Sequence, residues 1–364
     1  MVAGTCDIKA SCKIPSTQVA FQETIRADGG LVTLRIYRRD VEQPATRPVP
    51  CECASTKALT VLSYGAGQES TWLLYQCALS KEFKRRFAPG RLLVLGSDTG
   101  DEHDETYEHI HYTRKFCQIH GLDFVWIEPS MGFHSVAWSS LVAQYRRNDT
   151  IGSLMFKRCC TDNLKIQPFY RFLASWLHLN YRGVPYERNH RSRTFHAFAG
   201  MHGKINVMIG FAANELERKE KTLAGHSQEN GYVATFRKAS VEFTFPLIDL
   251  GMDRAATQAS IRAMGLPLPP PSNCKRCHFR RPVELLWLYR FERNSYDEWV
   301  ELEKAKIEKF AERTAARGQQ NCGVFGSKLI PQVLEEAMEK YGAMSDEALH
   351  EFRMSHGHCV SNGY

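Results

Sequence analysis

The chain has 364 residues, of which 43% are hydrophobic and 24% are charged, and its formal net charge is +7. This composition is typical of a globular protein and excludes a disordered or low-complexity chain. No apolar run is long enough to span a bilayer, and no signal pattern opens the chain, so we expect a cytoplasmic protein without membrane association. The twelve cysteines would then stay thiols, and their clusters would indicate metal or redox sites. The positive charge favours an anionic partner.

Three regions are predicted along the chain. Residues 1–57 form an N-terminal extension with a candidate strand at Leu31–Arg39. Residues 58–265 alternate strands with amphipathic helices, which predicts an α/β domain whose parallel sheet carries helices on both faces. Residues 266–364 begin with a proline-rich linker and are predicted to be helical over about 283–316 and 331–341. The strands of the central region are expected near Leu59–Ser63, Leu92–Ser97, Phe124–Glu128 and Val207–Gly210.

The first central strand runs into a glycine-rich turn, Ser63-Tyr64-Gly65-Ala66-Gly67-Gln68-Glu69-Ser70, before a predicted helix. A Walker loop would have lysine in place of Glu69, and a dinucleotide fingerprint would have glycine in place of Ser70. The backbone N–H groups near Gly65 and Gly67, with the Ser63 and Ser70 hydroxyls, are predicted to hold phosphate oxygens at the helix N-terminus. Glu69 would either help hold Mg²⁺ or stabilise the helix dipole.

Four later segments complete a pattern. They are Asp98-Thr99-Gly100-Asp101-Glu102 after the second strand, Lys157-Arg158-Cys159-Cys160-Thr161 with Lys165 and Pro168, Gly210 with Glu215 and Arg218, and Cys274-Lys275-Arg276-Cys277. Together with the glycine turn, they resemble in order the motifs of the phosphoadenosine phosphosulfate reductase-like family. That family belongs to the adenine nucleotide alpha hydrolases, or PP-loop ATP pyrophosphatases. The resemblance covers residues 58–282.

The resemblance implies an adenine nucleotide alpha hydrolase-like fold that binds ATP with Mg²⁺. It implies that Asp98 and Gly100 hold the adenine or ribose end of the nucleotide. Five residues would act in catalysis, the cations by neutralising charge that develops on the phosphates: Lys157, Arg158, Lys165, Glu215 and Arg218. The family has an arginine just behind the glycine of its late motif, where this chain has Phe211 and Ala212. This departure argues against a sulfonucleotide substrate.

The cysteine pair Cys159-Cys160 and the Cys274-x-x-Cys277 motif resemble the arrangement with which adenylylsulfate reductases hold a [4Fe–4S] cluster. Thiolates suit iron–sulfur clusters and Zn²⁺ alike, and a two-residue spacer lets both sulfurs reach one centre. Four ligands, or only Cys160, Cys274 and Cys277 as in three-cysteine tRNA thiolation enzymes, are both compatible with the sequence. Zn²⁺ and an inert buried pair are the alternatives.

Three functions follow from these motifs. The first is ATP-dependent sulfur insertion into nucleic acid, of the DNA phosphorothioation or tRNA thiolation type, with a cysteine desulfurase as partner. The second is reduction of adenylyl sulfate or its 3′-phosphorylated form to sulfite with thioredoxin, although neither Cys322 nor Cys359 lies in the reductase C-terminal motif. The third is a non-catalytic nucleotide- and cluster-binding regulatory subunit. The Arg- and aromatic-rich segment 181–201 favours a DNA or tRNA partner.

Overall fold

A computed structural model describes residues 18–27, 30–38, 58–156, 159–186, 191–227 and 235–356. Its centre is a five-stranded parallel sheet in the order β5-β4-β3-β6-β7. The strand order reverses between β3 and β6, and parallel α/β sheets bind ligands at the carboxyl ends of the strands beside such a reversal. The five strands are β3 (Leu59–Ser63), β4 (Arg91–Ser97), β5 (Asp123–Ile127), β6 (Ile205–Ile209) and β7 (Val241–Thr244).

All four predicted central strands are present, with ends within two residues of the prediction. The sequence analysis missed β7, whose four residues give too short a pattern to distinguish from a loop. In the N-terminal extension, β1 (Gln18–Ala27) and β2 (Gly30–Arg38) pair antiparallel, and β2 matches the candidate strand there.

Helices cover both faces of the sheet, because its strands are apolar on both sides. Leu62 and Val94 belong to one core, whereas Val61 and Leu93 belong to the other. The first face carries α1 (Gln68–Leu79), α2 (Lys81–Phe87), α3 (Asp104–Ile119) and α10 (Arg254–Ala263). The second face carries α5 (Gln167–Asn180), α6 (Arg191–His202) and α8 (Thr235–Ser240). The predicted fold class is confirmed.

Shorter elements connect these layers. They are α4 (Leu141–Asn148), α7 (Leu216–Ser227), α9 (Pro246–Asp249), two 3₁₀ turns at Pro129–Met131 and Val136–Trp138, and a π-helical turn at Thr161–Ile166 that leads into α5. Among the described helices, none is long and apolar enough to cross a membrane.

The C-terminal region packs as a separate group of helices around a third core that also takes in Leu141 and Tyr145 of α4. The helix predicted over about 283–316 is broken at Glu292, and the one predicted over 331–341 is α13. Buried Glu303 anchors this group, since its carboxylate accepts bonds from the backbone N–H groups of Val324 and Ile330, both at 2.7 Å. The helices are α11 (Pro282–Phe291), α12 (Arg293–Ala316), α13 (Ile330–Tyr341) and α14 (Asp346–Ser355).

Candidate nucleotide and thiol site

The glycine turn lies where β3 ends and α1 begins, directly at the reversal of strand order. Gly67 caps α1 with extended backbone, and Ala66 adopts a left-handed conformation with φ of 56°, which is uncommon for a residue with a side chain. The Ser70 hydroxyl lies inside the turn, 3.3 Å from the Gly65 nitrogen and 3.1 Å from the Gly67 carbonyl oxygen. The turn is therefore a preformed cradle with backbone N–H groups at a helix N-terminus, as an anion site requires.

The segment that precedes the Cys-x-x-Cys motif lies across this cradle. A Cβ atom added to Gly67 would stand 3.1 Å from both the Cβ and the backbone nitrogen of Ser272. The Gln68 side chain donates to the carbonyl oxygen of Pro269 at 3.2 Å, which fixes the crossing segment to the start of α1. The glycine turn and the cysteine motif are thus packed together, which their separation in sequence did not reveal.

The loop after β6 closes the other side of the cradle. A Cβ atom at Gly210 would lie 3.0 Å from the Ser70 nitrogen, so this loop touches the start of α1. Glu215 is buried, accepts from the Ala212 N–H at 2.8 Å and forms an ion pair with Arg218. Both predicted residues therefore lie together beside the reversal of strand order, where they hold the loop in shape.

Sequence reasoning missed the partner of Glu69. Arg254 of α10 donates to its carboxylate at 2.6 Å, and both side chains are nearly buried. This pair ties the first turn of α1 to α10, so Glu69 has a structural role besides the helix dipole. The separation of 185 positions left no local signal in the sequence.

The acidic loop after β4 holds Asp98 in a fixed position. One carboxylate oxygen of Asp98 accepts from the Gly100 N–H at 2.8 Å and from the Tyr107 hydroxyl at 2.9 Å. Gly100 has φ of 66°, and a Cβ there would come within 2.4 Å of Ser140. Asp98 and Tyr107 also line a cleft of ≈ 270 Å³, together with Ile110, His111, Arg114, Trp126, Glu128, Pro129 and Ser130.

The same acidic loop contacts the Cys-x-x-Cys motif. Glu102 and Cys274 form an isolated antiparallel bridge, and the Lys275 N–H donates to the Asp101 carbonyl oxygen at 2.7 Å. The Thr99 hydroxyl lies 3.4 Å from the Cys274 sulfur. Cys274 is therefore held against the loop that follows the β4 strand.

Tyr145 lies near both Cys277 and Cys160. Burial raises the pKa of the Tyr145 hydroxyl well above its usual value, and the neighbouring Cys160, Cys277 and Asp101 side chains raise it further. Cys277 is buried, and Cys160 is half-buried at the start of the π-helical turn. Three of the four predicted ligands therefore lie around one group of residues, formed by Thr99, Asp101 and Tyr145.

The fourth predicted ligand differs from the others. Cys159 is exposed, and partial burial together with neighbouring Cys160 raises the pKa of its thiol. Within the described part of the chain, no three His, Cys, Asp or Glu side chains are gathered closely enough to enclose a metal ion. Ligation by these cysteines stays a prediction.

The predicted cations are described in part. Lys165, on the π-helical turn, lies 3.7 Å from the buried carboxylate of Glu102 and thus reaches the acidic loop. Lys157 and Arg158 lie outside the described residues, as do Arg188 of the basic segment and Cys359.

A buried ion network, which sequence reasoning missed, supports the cysteine motif. Arg276 lies between the two cysteines and pairs with both Asp101 and Glu298 of α12. Burial raises the pKa of Asp101 to about 6, although Arg276 opposes that shift. The motif is thereby attached both to the acidic loop and to the C-terminal helices. The sequence shows an arginine between the two cysteines, but it gives no indication that this arginine pairs with Asp101 and Glu298, which are distant along the chain.

Cys322, the candidate reductase nucleophile, is buried in the C-terminal region. Its sulfur lies 3.7 Å from the Gln320 carbonyl oxygen, and its own carbonyl oxygen accepts a bond from Lys306. A nucleophilic thiol needs access to its substrate, and Cys322 in this position lacks it.

Comparisons with known proteins give little help. No protein-family model matches the chain, and no curated protein matches it. Among solved structures, the U34-tRNA thiolase NcsA from Methanococcus maripaludis, with its [4Fe-4S] cluster, aligns over 80% of this chain and 84% of its own, with 12% sequence identity and a TM-score of 0.30. A likeness of this size assigns neither a family nor a function.

Proposed function

We propose that this chain is a PP-loop ATP pyrophosphatase that activates nucleic acid for sulfur insertion. The proposal is supported by the contact between the glycine turn, which would bind the nucleotide, and the Cys-x-x-Cys segment, which would hold the sulfur. The segment leading to Cys274 crosses the glycine turn at Ser272, and Cys274 itself lies 3.4 Å from Thr99 in the loop after β4.

The nucleotide half of the proposal rests on position and backbone chemistry. The cradle around Gly65 and Gly67 lies at the carboxyl end of β3, where the strand order reverses, and it ends in a helix N-terminus. In this proposal the triphosphate of ATP, with Mg²⁺, occupies the cradle. The neighbouring cleft beside Asp98 takes the nucleoside, since it offers a fixed carboxylate and the Trp126 ring.

The sulfur half rests on the donor set. Cys160, Cys274 and Cys277 fit an iron–sulfur or zinc centre by chemistry, since thiolates are the ligands that both groups take. Closure around such a centre requires the three thiols to draw together from their described positions. A [4Fe–4S] cluster bound there would supply a site that holds sulfur close to the activated acceptor.

The proposed reaction has two steps. An oxygen of the acceptor attacks the α-phosphorus of ATP, which breaks the α–β phosphoanhydride and releases pyrophosphate. A cysteine desulfurase supplies sulfur as a cysteine persulfide, and a thiol reductant releases it as sulfide while that thiol is oxidised to a disulfide. The sulfide then attacks the acceptor atom that carries the adenylylated oxygen, and AMP leaves with that oxygen. Lys165 would stabilise negative charge in the first step. The replacement of oxygen by sulfide transfers no electrons, so the thiol that releases sulfide from the persulfide is the one reductant the reaction needs.

The test is an anaerobic reaction with ATP, cysteine, a cysteine desulfurase, dithiothreitol as the thiol reductant and either DNA or tRNA. Mass spectrometry of the digested nucleic acid should find a thionucleoside or a phosphorothioate only when ATP is present. Cys274→Ser should abolish the product, whereas Cys322→Ser should not, because Cys322 lies away from the thiol group. Sulfite formed from adenylyl sulfate and thioredoxin, with no sulfur in nucleic acid, would contradict the proposal and support the reductase alternative.

A further inference from the structure

Helices α5, α6 and α8 bring together three arginines, which we call the arginine cluster: Arg171, Arg191 and Arg237. Arg191 donates to the side-chain oxygen of Gln167 at 3.2 Å, and Arg171 follows Gln167 by one helical turn on α5. The guanidinium of Arg237 stacks on the Tyr170 ring, 4.2 Å from its centroid. Three separate helices thus place their arginines around one short stretch of α5.

The cluster has an excess of positive charge. Among the described residues, none of the three guanidinium groups forms a salt bridge. Gln167 donates to the carboxylate of Asp162 at 3.3 Å, so Asp162 forms no direct bond with Arg191, although its negative charge partly stabilises that guanidinium. Burial lowers the pKa of Arg191, and the charges of Arg171 and Arg237 lower it further. Like charges gathered in a partly desolvated place are unfavourable unless an anion offsets them.

Guanidinium N–H groups without a hydrogen-bond partner also indicate that the arginine cluster binds an anion. The Nε of Arg237 is buried and has no hydrogen-bond partner in the described part of the chain. Buried donors are normally bonded, and an exception calls for a missing partner. Arg171 uses one terminal nitrogen, which donates to the Phe133 carbonyl oxygen at 3.0 Å. Several guanidinium N–H groups of the cluster therefore remain for a ligand.

The cluster is linked to the thiol group by the π-helical turn Thr161–Ile166. Cys160 begins this turn, and Gln167, the amide that binds Arg191, directly follows it. Lys165 of the same turn faces Glu102. Turns of this kind occur frequently at functional sites. A ligand bound by the arginine cluster would thus be separated from the Cys160 thiol, which is predicted to hold sulfur, by the single π-helical turn Thr161–Ile166.

We propose that the arginine cluster binds a backbone phosphate of the nucleic acid substrate, which rests on the function proposed above. Guanidinium groups present paired N–H donors that match phosphate oxygens, and arginine recognises phosphodiesters for this reason. The phosphate supplies the missing negative charge. It also anchors the strand beside the segment that carries Cys160.

The test measures binding of fluorescent duplex DNA and of unmodified tRNA to the full chain at several KCl concentrations. Because bound counterions are released, the logarithm of affinity falls by about 0.9 per decade of salt for each duplex phosphate neutralised. The triple variant Arg171→Gln, Arg191→Gln, Arg237→Gln should bind at least about tenfold more weakly at low salt and flatten the slope. The control triple, Arg85→Gln, Arg262→Gln, Arg313→Gln, removes three exposed arginines elsewhere and should leave the slope nearly unchanged.

Two results would overturn the inference. One is that affinity falls equally with salt for the wild-type chain and the cluster variant on both nucleic acids, when circular dichroism shows that both proteins are folded. The other is a calorimetric measurement in which the cluster variant loses binding of inorganic phosphate but binds nucleic acid as the wild-type chain does. The cluster would then be a site for small anions. ATP binding is measured in parallel, without nucleic acid. If the wild-type chain does not bind ATP, the pyrophosphatase proposal is refuted, whereas the result on nucleic-acid binding by the arginine cluster is unaffected.

Discussion

Replacing Gly67 by alanine tests the nucleotide cradle most sharply. The φ of Gly67 is −95°, which alanine adopts without strain, so the substitution acts through its methyl group alone. That methyl would lie 3.1 Å from the Cβ and the backbone nitrogen of Ser272, so the crossing segment has to move by only a few tenths of an ångström. We therefore expect the variant to fold.

Phosphate binding should be far more sensitive to the same change. The methyl group would push against Ser272 and so disturb the turn whose backbone N–H groups are proposed to bind phosphate oxygens. A hydrogen bond to a charged group contributes about 1.5–3 kcal/mol, so losing one raises the Kd for ATP roughly ten- to hundredfold. Isothermal titration with ATP and Mg²⁺ measures this, with thermal unfolding as the check on folding.

The matched control is Gly200→Ala, in helix α6. A Cβ there meets no atom within 4 Å, and alanine stabilises a helix relative to glycine by up to about 1 kcal/mol. ATP affinity should be unchanged in this variant. An equal ATP affinity in the Gly67 and Gly200 variants would refute the assignment of the glycine turn as the phosphate site.

Three further predictions concern the supporting structure. Cys274→Ser should remove most of the iron or zinc from anaerobically purified protein, whereas Cys322→Ser should retain it; equal metal contents would refute ligation by Cys274. Arg276→Met removes the guanidinium that pairs with the buried Asp101 carboxylate and keeps only the backbone N–H bond at that position, so urea unfolding at pH 8 should give a free energy of unfolding about 3 kcal/mol lower. Burial lowers the pKa of His109 to about 4. The unfolded state therefore binds a proton near pH 5 that the folded state excludes, and stability falls as pH drops below about 6.5. His109→Gln should reduce the loss between pH 7 and pH 5 by up to about 2 kcal/mol, and an unchanged loss would contradict this reasoning.

The sequence was sufficient to predict the sheet and the glycine turn, because both depend on local patterns. Buried parallel strands are short apolar runs, and a turn with two glycines between a strand and a helix is visible directly in the sequence. The same patterns could not predict β7, which has four residues, or the break at Glu292 between two helices with similar periodicity.

Contacts between distant residues had no such signal. The pairs Glu69–Arg254 and Asp101–Arg276 join residues that are 185 and 175 positions apart, so only the folded chain brings them together. The arginine cluster was likewise hidden, since Arg171 and Arg237 lie outside the basic segment that the sequence emphasised. The motifs name candidate residues, and the fold determines which of these residues lie close together.

Cleavage of ATP at its α-phosphorus is the central claim, and the products decide it directly. The full chain is incubated anaerobically with ATP, Mg²⁺, sodium sulfide and either DNA or tRNA, and the nucleotides are separated by chromatography. We expect AMP and pyrophosphate in equal amounts, with little product from the Gly67→Ala variant. ADP and inorganic phosphate as the products, or ATP left intact with every acceptor, would contradict it.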